Sequence, residues 1–298
     1  MIKSKIKKIT VFVIFYAFLY ILMEFLSLTV LYFSSPDGLK NDIKMYGSSL
    51  LFDVRDFKDE KYLSFIHKPV IVPNSKKAPI GIFGCSFGYG GENNIFGRDL
   101  SKLTNRSVYN YSVQGVGPQM MYYAIDKGKV NDSIDTYIYV FFGDHNLRCC
   151  KFRCNPFVNY VVPRYNLKQN DTLKIQYPNT FQRTSFIYRA YEQIFPLYYQ
   201  NGNYADKVFY NVVMQSFERL KEKNNSIKFI ILIYSDISKE DFCCGERFEE
   251  AGIDLVFVND LTGENMMTLK YQISPDDSHP NLAAWDLISK KLVQKYNF

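Results

Sequence analysis

The stretch PIGIFGCSFGYG, residues 79–90, decides the fold of this chain. Its first half is a short apolar run, and its second half is a turn in which glycines surround Ser86. A short apolar run that ends at glycines is typical of a buried strand. Glycines permit positive φ angles and close backbone approach. The stretch therefore predicts that Ser86 lies at the carboxyl end of a parallel strand, with its backbone N–H free.

Similar apolar runs return four times downstream, with segments of helical length between most of them. Runs such as 230–233 are apolar on both faces, which is typical of parallel strands covered by helices. The order of elements predicts an α/β fold, a doubly wound sandwich with about five parallel strands. The predicted strands span 79–84, 107–112, 136–142, 228–235 and 253–258, and the predicted helices span 92–104, 117–130, 205–223, 238–251 and 282–295.

One long segment, 147–204, interrupts this alternation. It contains four prolines and has no clean strand period. We expect it to be an insertion over the carboxyl edge of the sheet, with a helix near 183–200. Ligands of such sheets bind at that edge.

The first 33 residues predict a membrane anchor. An apolar stretch, 9–33, follows a lysine-rich start, and its 25 residues extend roughly 37 Å as a helix, enough to cross a ~30 Å hydrocarbon core. The positive-inside rule keeps the lysines in the cytoplasm and the rest of the chain outside it. The lysines are Lys3, Lys5, Lys7 and Lys8. The expected divisions are a tail at 1–8, the anchor at 9–33, a stalk at 34–77 and the main domain at 78–298.

The apolar stretch has two other interpretations. A cleaved signal peptide would end in a small-x-small site, and none follows the stretch. A buried core helix fits poorly with the flanking lysines. Glu24 is the one charged residue in the stretch, and its carboxylate would cost about 2–3 kcal/mol near the middle of the bilayer. We expect Glu24 to be neutral or to contact a partner helix.

Composition and charge exclude several classes of protein. Hydrophobic residues make up 47% of the 298 residues and charged residues 22%, which excludes a mostly disordered or collagen-like chain. The net charge of +6 is modest and gives little support to nucleic-acid binding. Neither the dinucleotide fingerprint nor the P-loop is matched. We expect no cofactor, no metal and no nucleic-acid partner.

A second chemical motif, PDDSHPN at 275–281, precedes the last predicted helix. Asp276 lies three residues before His279. In a turn, that spacing lets the carboxylate reach Nδ1 of the imidazole, which leaves Nε2 free to take a proton from Ser86. The alternative is that His279 caps or packs against the helix.

Together these motifs resemble the SGNH (GDSL-like) hydrolase superfamily over roughly residues 78–296. Gly84-Cys85-Ser86 corresponds to the first block, Gly-Asp-Ser, with Cys85 in place of its aspartate, and implies that Ser86 is the nucleophile. The block ending at Gly115 implies an oxyanion donor there, and Asp276 to Pro280 matches the last block, with His279 as base and Asp276 orienting it. The family fold, a sandwich of about five parallel strands, agrees with the pattern above.

The third block departs from the family. Its usual Gly-x-Asn-Asp reads Gly143-Asp144-His145-Asn146, so His145 stands where the family has its oxyanion-hole asparagine. A shift of one residue would let Asn146 serve instead. Either side chain can donate a hydrogen bond, the imidazole only in the right tautomer or when protonated. The alternative is that His145 and Arg148 are structural.

The resemblance implies a membrane-anchored serine esterase that acts on acyl esters, O-acetyl above all, of cell-envelope glycans. The alternatives are an O-acyltransferase on the same glycans, a lipase- or thioesterase-like enzyme, a catalytically inactive glycan-binding protein with this fold, and a purely structural anchored partner. Tyrosines of the 147–204 insertion are candidates to stack on sugar rings, although most are expected to pack against the sheet.

The cysteines form two groups, one at the start of the insertion and one after the fourth predicted strand. Disulfides are allowed outside the cytoplasm, and a bridge between the groups would clamp the insertion. Free thiols and a metal site are the alternatives, although a Cys-Cys-x-x-x-Cys run is not a standard zinc spacing. The residues are Cys149, Cys150, Cys154, Cys243 and Cys244.

Overall fold

A computed structural model describes residues 2–34, 69–73, 75–90, 94–113, 115–151, 164–168, 172–194 and 202–298. The chain divides into two compact units. The first unit holds residues 1–55, 155–161 and 178–198, and the second holds 56–154, 162–177 and 199–298. Most of the expected stalk, 35–68, and part of the expected insertion, 152–163, lie outside the described residues.

The second unit is built on a parallel sheet. Its strands are β1 (Ile80–Gly84), β2 (Val108–Asn110), β3 (Thr136–Phe141), β4 (Arg164–Leu167), β5 (Leu173–Gln176), β6 (Lys228–Ile233), β7 (Asp254–Phe257), β8 (Gln272–Ser274) and β9 (Asp277–Pro280). Five of them form one sheet in the order β2-β1-β3-β6-β7, and every neighbouring pair is parallel. The predicted doubly wound α/β fold is confirmed.

Helices cover both faces of this sheet. The described helices of the two units together are, in chain order, α1 (Ile2–Ser34), α2 (Ser86–Tyr89), α3 (Ile95–Thr104), α4 (Pro118–Asp126), α5 (His145–Arg148), α6 (Thr180–Thr184), α7 (Phe186–Ile194), α8 (Gly202–Lys223), α9 (Gly245–Glu250), α10 (Val258–Thr262) and α11 (Leu282–Tyr296), and of these α1, α6 and α7 belong to the first unit. One apolar core joins the sheet to α4, α8 and α9, and the other joins it to α3 and α11. Burial on both sides explains why the strands are apolar on both faces.

The order of the strands places a crevice at the carboxyl end of β1. The chain goes from β1 outward to β2 and then crosses to β3 on the other side of β1. This reversal is a topological switch point, and it opens a crevice at the carboxyl end of β1. Ser86 begins α2 directly after that end.

The opposite end of β1 is held by a buried arginine. The Arg106 guanidinium donates to the backbone oxygens of Ala78 at 2.6 Å and Pro79 at 3.1 Å, and it is paired with Asp135. Ten residues before β1, Val70 forms an antiparallel bridge with Val108 of β2. The later end of the expected stalk therefore packs on the sheet of the second unit.

The segment 147–204 contains structure that its sequence did not indicate. β4 and β5 form an antiparallel hairpin, and its register pairs Tyr165 with Ile175. The Tyr204 hydroxyl accepts a hydrogen bond from the Leu167 N–H at 3.1 Å, which ties the hairpin to α8. Strands of four residues are too short to show a clear alternation of apolar and polar positions. The helix expected near 183–200 corresponds to α7, Phe186–Ile194, with the short α6 just before it, and residues 195–201 lie outside the described part of the chain.

The first unit contains the apolar helix α1, and the window Thr10–Phe33 is long and apolar enough to cross a membrane. In this unit α7 packs on α1, and Phe186 and Ala190 share an apolar cluster with Leu28 and Leu31. Glu24 of α1 contacts the start of α7. Of the two expectations for Glu24, contact with a partner helix is the one that the structure shows.

Candidate active site

Ser86 stands at the amino end of a single helical turn. Cys85 is the N-cap of α2, and its Sγ accepts a hydrogen bond from the Phe87 N–H at 3.5 Å. Burial raises the pKa of the Cys85 thiol, so it remains protonated. The first N–H groups of a helix have no acceptor within the helix. The Ser86 N–H therefore lies where a developing negative charge would be stabilised.

Ser86 and His279 are in hydrogen-bond contact, although 193 residues separate them in the chain. Ser86 Oγ is 2.7 Å from Nε2 of His279, and Nδ1 of the same ring is 2.5 Å from Oδ1 of Asp277. With the carboxylate accepting from Nδ1–H, Nε2 accepts from the Ser86 hydroxyl. A hydroxyl, an imidazole and a carboxylate bonded in this order can activate the hydroxyl as a nucleophile.

The acid beside the imidazole is Asp277, and the prediction that Asp276 orients His279 is wrong. Residues 277–280 form the strand β9, which pairs with β8, rather than the expected turn. In an extended strand, side chains two residues apart point to the same face. Asp277 and His279 therefore face each other, whereas Asp276 is exposed to solvent.

Two hydrogen bonds keep the Asp277 carboxylate ionised. Partial burial raises its pKa, but the backbone N–H of His279, at 3.0 Å, and the imidazole outweigh that effect, so the pKa of Asp277 lies below its ordinary value. The site is open, since the side chains of His279 and Asp277 are 39% and 41% exposed. A substrate can therefore approach this dyad directly from solvent.

An aromatic wall supports the imidazole. The Phe87 ring lies 4.8 Å from the His279 ring and stacks on Phe142 at 3.7 Å between centroids. Behind it, the ring of Tyr234 lies 5.3 Å from Phe87. Contact with the tilted Phe87 ring and the hydrogen bond to Asp277 together fix the orientation of His279.

The strand that carries His279 is fixed at its end by Asn281. The Asn281 side chain donates to the backbone oxygens of Lys270 and Gln272 at 2.9 and 3.0 Å, and its Oδ1 accepts from the Ala284 N–H at 3.0 Å. Asn281 is the N-cap of α11, so one residue joins β8, β9 and the last helix.

The loop after β2 lies beside Ser86. The Val113 N–H donates to the Gly84 oxygen at 3.0 Å, and the Asn110 side chain donates to the Gly88 oxygen at 2.9 Å. Gly115 follows two residues later, with a φ of 65° in the left-handed region. The structure thus brings the loop that carries Gly115 to the end of β1.

The two candidate side-chain donors, His145 and Asn146, make their hydrogen bonds away from Ser86. His145 is fully buried, and its Nδ1 lies 2.6 Å from the Tyr139 hydroxyl and 3.4 Å from the Phe142 N–H. The Phe142 N–H can only donate, so Nδ1 is the acceptor and the His145 proton sits on Nε2, which has no hydrogen-bond partner within the described part of the chain. Asn146 donates to Asp206 at 2.7 Å. Neither side chain contacts Ser86 in the described structure.

Burial also fixes the charge of His145. Desolvation, with a further contribution from Arg148, holds the pKa of His145 well below its ordinary value, so the ring is neutral. Arg148 is itself paired with Asp144 at 2.7 Å and donates to the Val116 oxygen at 3.3 Å. Through Arg148, residues 143–146 of the third block are therefore connected to Val116, the residue that follows Gly115.

The cysteines within the described residues are free thiols. Cys149 donates to the His145 oxygen at 3.5 Å, and Cys244 to the Asp206 oxygen at 4.0 Å, while Cys154 lies outside the described residues. No cluster of three or more His, Cys, Asp or Glu side chains suited to a metal ion occurs among the described residues.

No family model and no curated protein matches the chain. Among solved structures, it is similar to a GDSL-like lipase from Bacteroides thetaiotaomicron VPI-5482, at 12% identity and a TM-score of 0.43, over 79% of this chain and 94% of that one. It is also similar to an acetyl xylan esterase from Butyrivibrio proteoclasticus, at 12% identity and a TM-score of 0.44, over 74% of this chain and 63% of that one.

Proposed function

We propose that this chain is a serine esterase that removes acyl groups, acetyl above all, from glycans of the cell envelope. The observation that carries the proposal is the hydrogen-bonded series Ser86–His279–Asp277 at the carboxyl end of β1. A serine hydroxyl is a weak nucleophile unless a neighbouring base takes its proton, and His279 is in place to do so.

The proposed reaction is acyl transfer through a covalent intermediate. Ser86 Oγ attacks the ester carbonyl while its proton passes to Nε2 of His279, and the imidazolium is stabilised by Asp277. His279 then gives that proton to the leaving sugar oxygen. Water, deprotonated by His279, releases the acyl group from Ser86 and regenerates the free hydroxyl.

The oxyanion would be held mainly by backbone groups. We place the N–H groups of Ser86 and Gly115 in this role, because both lie at the end of β1 and each such donor is typically worth about 3–4 kcal/mol at the barrier. The Asn146 side chain would serve as a third donor only after leaving Asp206. The Nε2–H of His145 has no partner among the described residues, but it is buried, so it would donate only to a substrate oxygen that reached it. Comparing the rates of His145→Ala and Asn146→Ala tests which, if either, contributes.

The glycan part of the proposal rests on location and openness. The apolar window Thr10–Phe33 would hold the enzyme at a membrane, with the four lysines before it in the cytoplasm and the site outside. Envelope polysaccharide is abundant there. The exposure of His279 and Asp277 suits an ester carried on a polymer rather than one drawn into a closed cavity.

The experiment uses the full chain in detergent micelles. A fluorophosphonate probe should label the chain, and Ser86→Ala should abolish the labelling, because the phosphonate bonds to an activated serine Oγ. The same preparation should release acetate from O-acetylated glycan, about 10⁴-fold or more slowly in Ser86→Ala.

Two results would overturn the proposal at different levels. If the folded chain is not labelled by the probe, the proposed esterase activity is wrong. If the chain is labelled and hydrolyses long-chain esters but releases no acetate from glycans, the proposed serine mechanism stands and the proposed glycan substrate is wrong.

A further inference from the structure

Cys243 and Cys244 are neighbours in the chain, and they are the two thiols of the described residues that are not buried. The other described cysteines, Cys85, Cys149 and Cys150, are fully buried. Thiol reactivity requires access to the sulfur as well as the thiolate form. Within the described part of the chain, a thiol reagent in solution therefore meets this pair first.

Cys244 lines a cleft of about 440 Å³ in the second unit, together with Lys239, Phe242 and Arg247. Sites for small molecules typically have volumes of roughly 300–1,000 Å³, so the cleft is large enough for a small organic compound. The two cations of the cleft differ in their surroundings. The Lys239 ammonium is paired with Glu249 at 2.8 Å, whereas the Arg247 guanidinium interacts with the Cys244 sulfur.

The two sulfurs are hydrogen-bonded to each other, and their other neighbours have opposite charges. The hydrogen bond from Cys243 and the positive charge of Arg247 lower the pKa of the Cys244 thiol and outweigh its partial burial. The hydrogen bond to Cys244, burial and the carboxylate of Asp206 raise the pKa of Cys243. As a thiol, Cys244 makes only a long contact, 4.0 Å, with the backbone oxygen of Asp206. Cys244 is therefore the thiolate of the pair, and Cys243 is its proton donor.

The backbone on both sides of the pair is fixed. Phe242, just before the pair, is buried, and its ring lies 5.1 Å from the ring of Phe141. The Gly245 N–H donates to the Phe242 oxygen at 3.1 Å, and the Cys244 oxygen accepts from the Phe248 N–H at 3.1 Å. The two sulfurs are thus held side by side by the fold.

We propose that Cys243 and Cys244 are a redox-active dithiol, which a small organic disulfide oxidises to a disulfide between the two neighbours. The Cys244 thiolate attacks one sulfur of the small disulfide and displaces the first thiolate, which takes a proton from water. Cys243 then attacks the Cys244 sulfur of this mixed disulfide, and its proton passes to the second thiolate as that leaves. The two protein thiols lose two electrons, and the small disulfide gains them as it becomes two thiols. This inference does not rest on the proposed esterase activity.

A disulfide between neighbouring residues is strained, and it is therefore reversible. Neighbouring Cα atoms are about 3.8 Å apart across a trans peptide bond, whereas the Cα atoms of ordinary disulfides are about 4.4–6.8 Å apart. Strain makes a disulfide easier to reduce, as in labile rather than structural bridges. We expect a small thiol to restore the two protein thiols without unfolding the chain.

The test uses the full chain in detergent with Cys154→Ser, so that the described thiols outside the pair are all buried ones. An excess of hydroxyethyl disulfide is added, samples are quenched with acid, and the intact mass is measured over time. The chain should lose the mass of two hydrogen atoms, and the peptide that contains both Cys243 and Cys244 should carry that loss. In Cys243→Ser the reaction should stop with one hydroxyethylthio group on Cys244. Cys244→Ser should react about 10-fold or more slowly, because it lacks the thiolate.

Two charge variants test why Cys244 reacts. At neutral pH, Arg247→Gln should slow the first step by about 3- to 10-fold, because the thiol loses a neighbouring positive charge. Lys239→Gln is the matched control, since it removes a cation of the same cleft that is paired with Glu249, and it should change the rate by less than about twofold. Emission of Trp285, the single and buried tryptophan, verifies that each variant is folded.

Several outcomes would overturn the proposal. A chain that keeps the hydroxyethylthio group on Cys244 shows that Cys243 does not complete the exchange. A bridge from either residue to Cys149 or Cys150 shows that the neighbours are not the redox unit. An unchanged mass, or equal rates in Cys243→Ser and Cys244→Ser, shows that the fold does not activate Cys244.

Discussion

Replacing Asp277 with asparagine should slow ester hydrolysis strongly, whereas Asp276→Asn should leave it nearly unchanged. The two residues are adjacent and chemically identical, so the pair is a matched control. Only Asp277 contacts the imidazole, at 2.5 Å, while Asp276 is exposed. In Asp277→Asn the amide can donate to Nδ1, which moves the ring proton to Nε2 and removes the base that Ser86 needs.

The magnitude follows from the loss of charge and the loss of the correct tautomer. The imidazolium and carboxylate charge centres are roughly 4 Å apart, where their attraction is about 1 kcal/mol in bulk water and about 4 kcal/mol at an effective dielectric constant of 20. Because Asp277 is 41% exposed, we take about 2 kcal/mol, which is about 30-fold in rate. Loss of the tautomer adds to this, and we expect a total fall of roughly 100- to 10,000-fold.

The assay is acetate release by the full chain in detergent, compared at one protein concentration for the native chain and both variants. Emission of the buried Trp285 during thermal unfolding verifies that each variant is folded. The lowered pKa of Asp277 means that it is ionised throughout an assay above about pH 5. A larger loss in Asp276→Asn than in Asp277→Asn would refute the strand argument and restore the acid expected from the sequence.

Three further predictions concern stability, each measured as the unfolding midpoint from Trp285 emission. A Cβ in Gly88→Ala would lie 2.6 Å from Ser112 Oγ and 3.2 Å from a backbone oxygen, so we expect a loss of about 1–3 kcal/mol, and an unchanged midpoint would contradict the tight packing at the site. Burial holds the pKa of His145 well below its ordinary value, so below about pH 6.5 the unfolded chain binds a proton at this residue that the folded chain does not. The free energy of unfolding should therefore fall as the pH drops through that range. In His145→Asn the free energy of unfolding should depend less on pH over the same range. Arg106→Met should cost about 2–4 kcal/mol, because buried backbone oxygens lose their donor, and a loss below 0.5 kcal/mol or so would contradict that role.

The ends of the five predicted strands lie within two residues of the observed ends, because each strand is a buried apolar run bounded by glycine or polar residues. Such runs are local properties of the chain. The same locality makes Ser86 identifiable, since a serine in a glycine-rich turn after a buried strand is visible in a short stretch of sequence. His279 was identifiable for the same reason, from its place between a turn and a helix cap.

The acid could not be chosen from spacing alone. A carboxylate three residues before His279 reaches the ring in a turn, and one two residues before it reaches the ring in a strand. The pairing of β9 with β8 decides between them, and that pairing depends on Asn281 and the backbone of residues 270–272. The sequence motif therefore offered both aspartates, and the strand conformation selected Asp277.

By itself, the sequence determined the apolar N-terminal helix and the doubly wound sheet with Ser86 at its carboxyl edge, because each follows from local patterns. The meeting of Ser86 with His279 was implied by the spacing of the DDSHP motif and by the family resemblance, and not by the parallel strands, because His279 lies outside the parallel sheet. Tertiary structure alone decided the β4–β5 hairpin, the contacts that occupy His145 and Asn146, and the partner of Glu24. The Glu24 contact joins residues 161 positions apart. No local period encodes such a contact, since it depends on which surfaces the folded chain brings together.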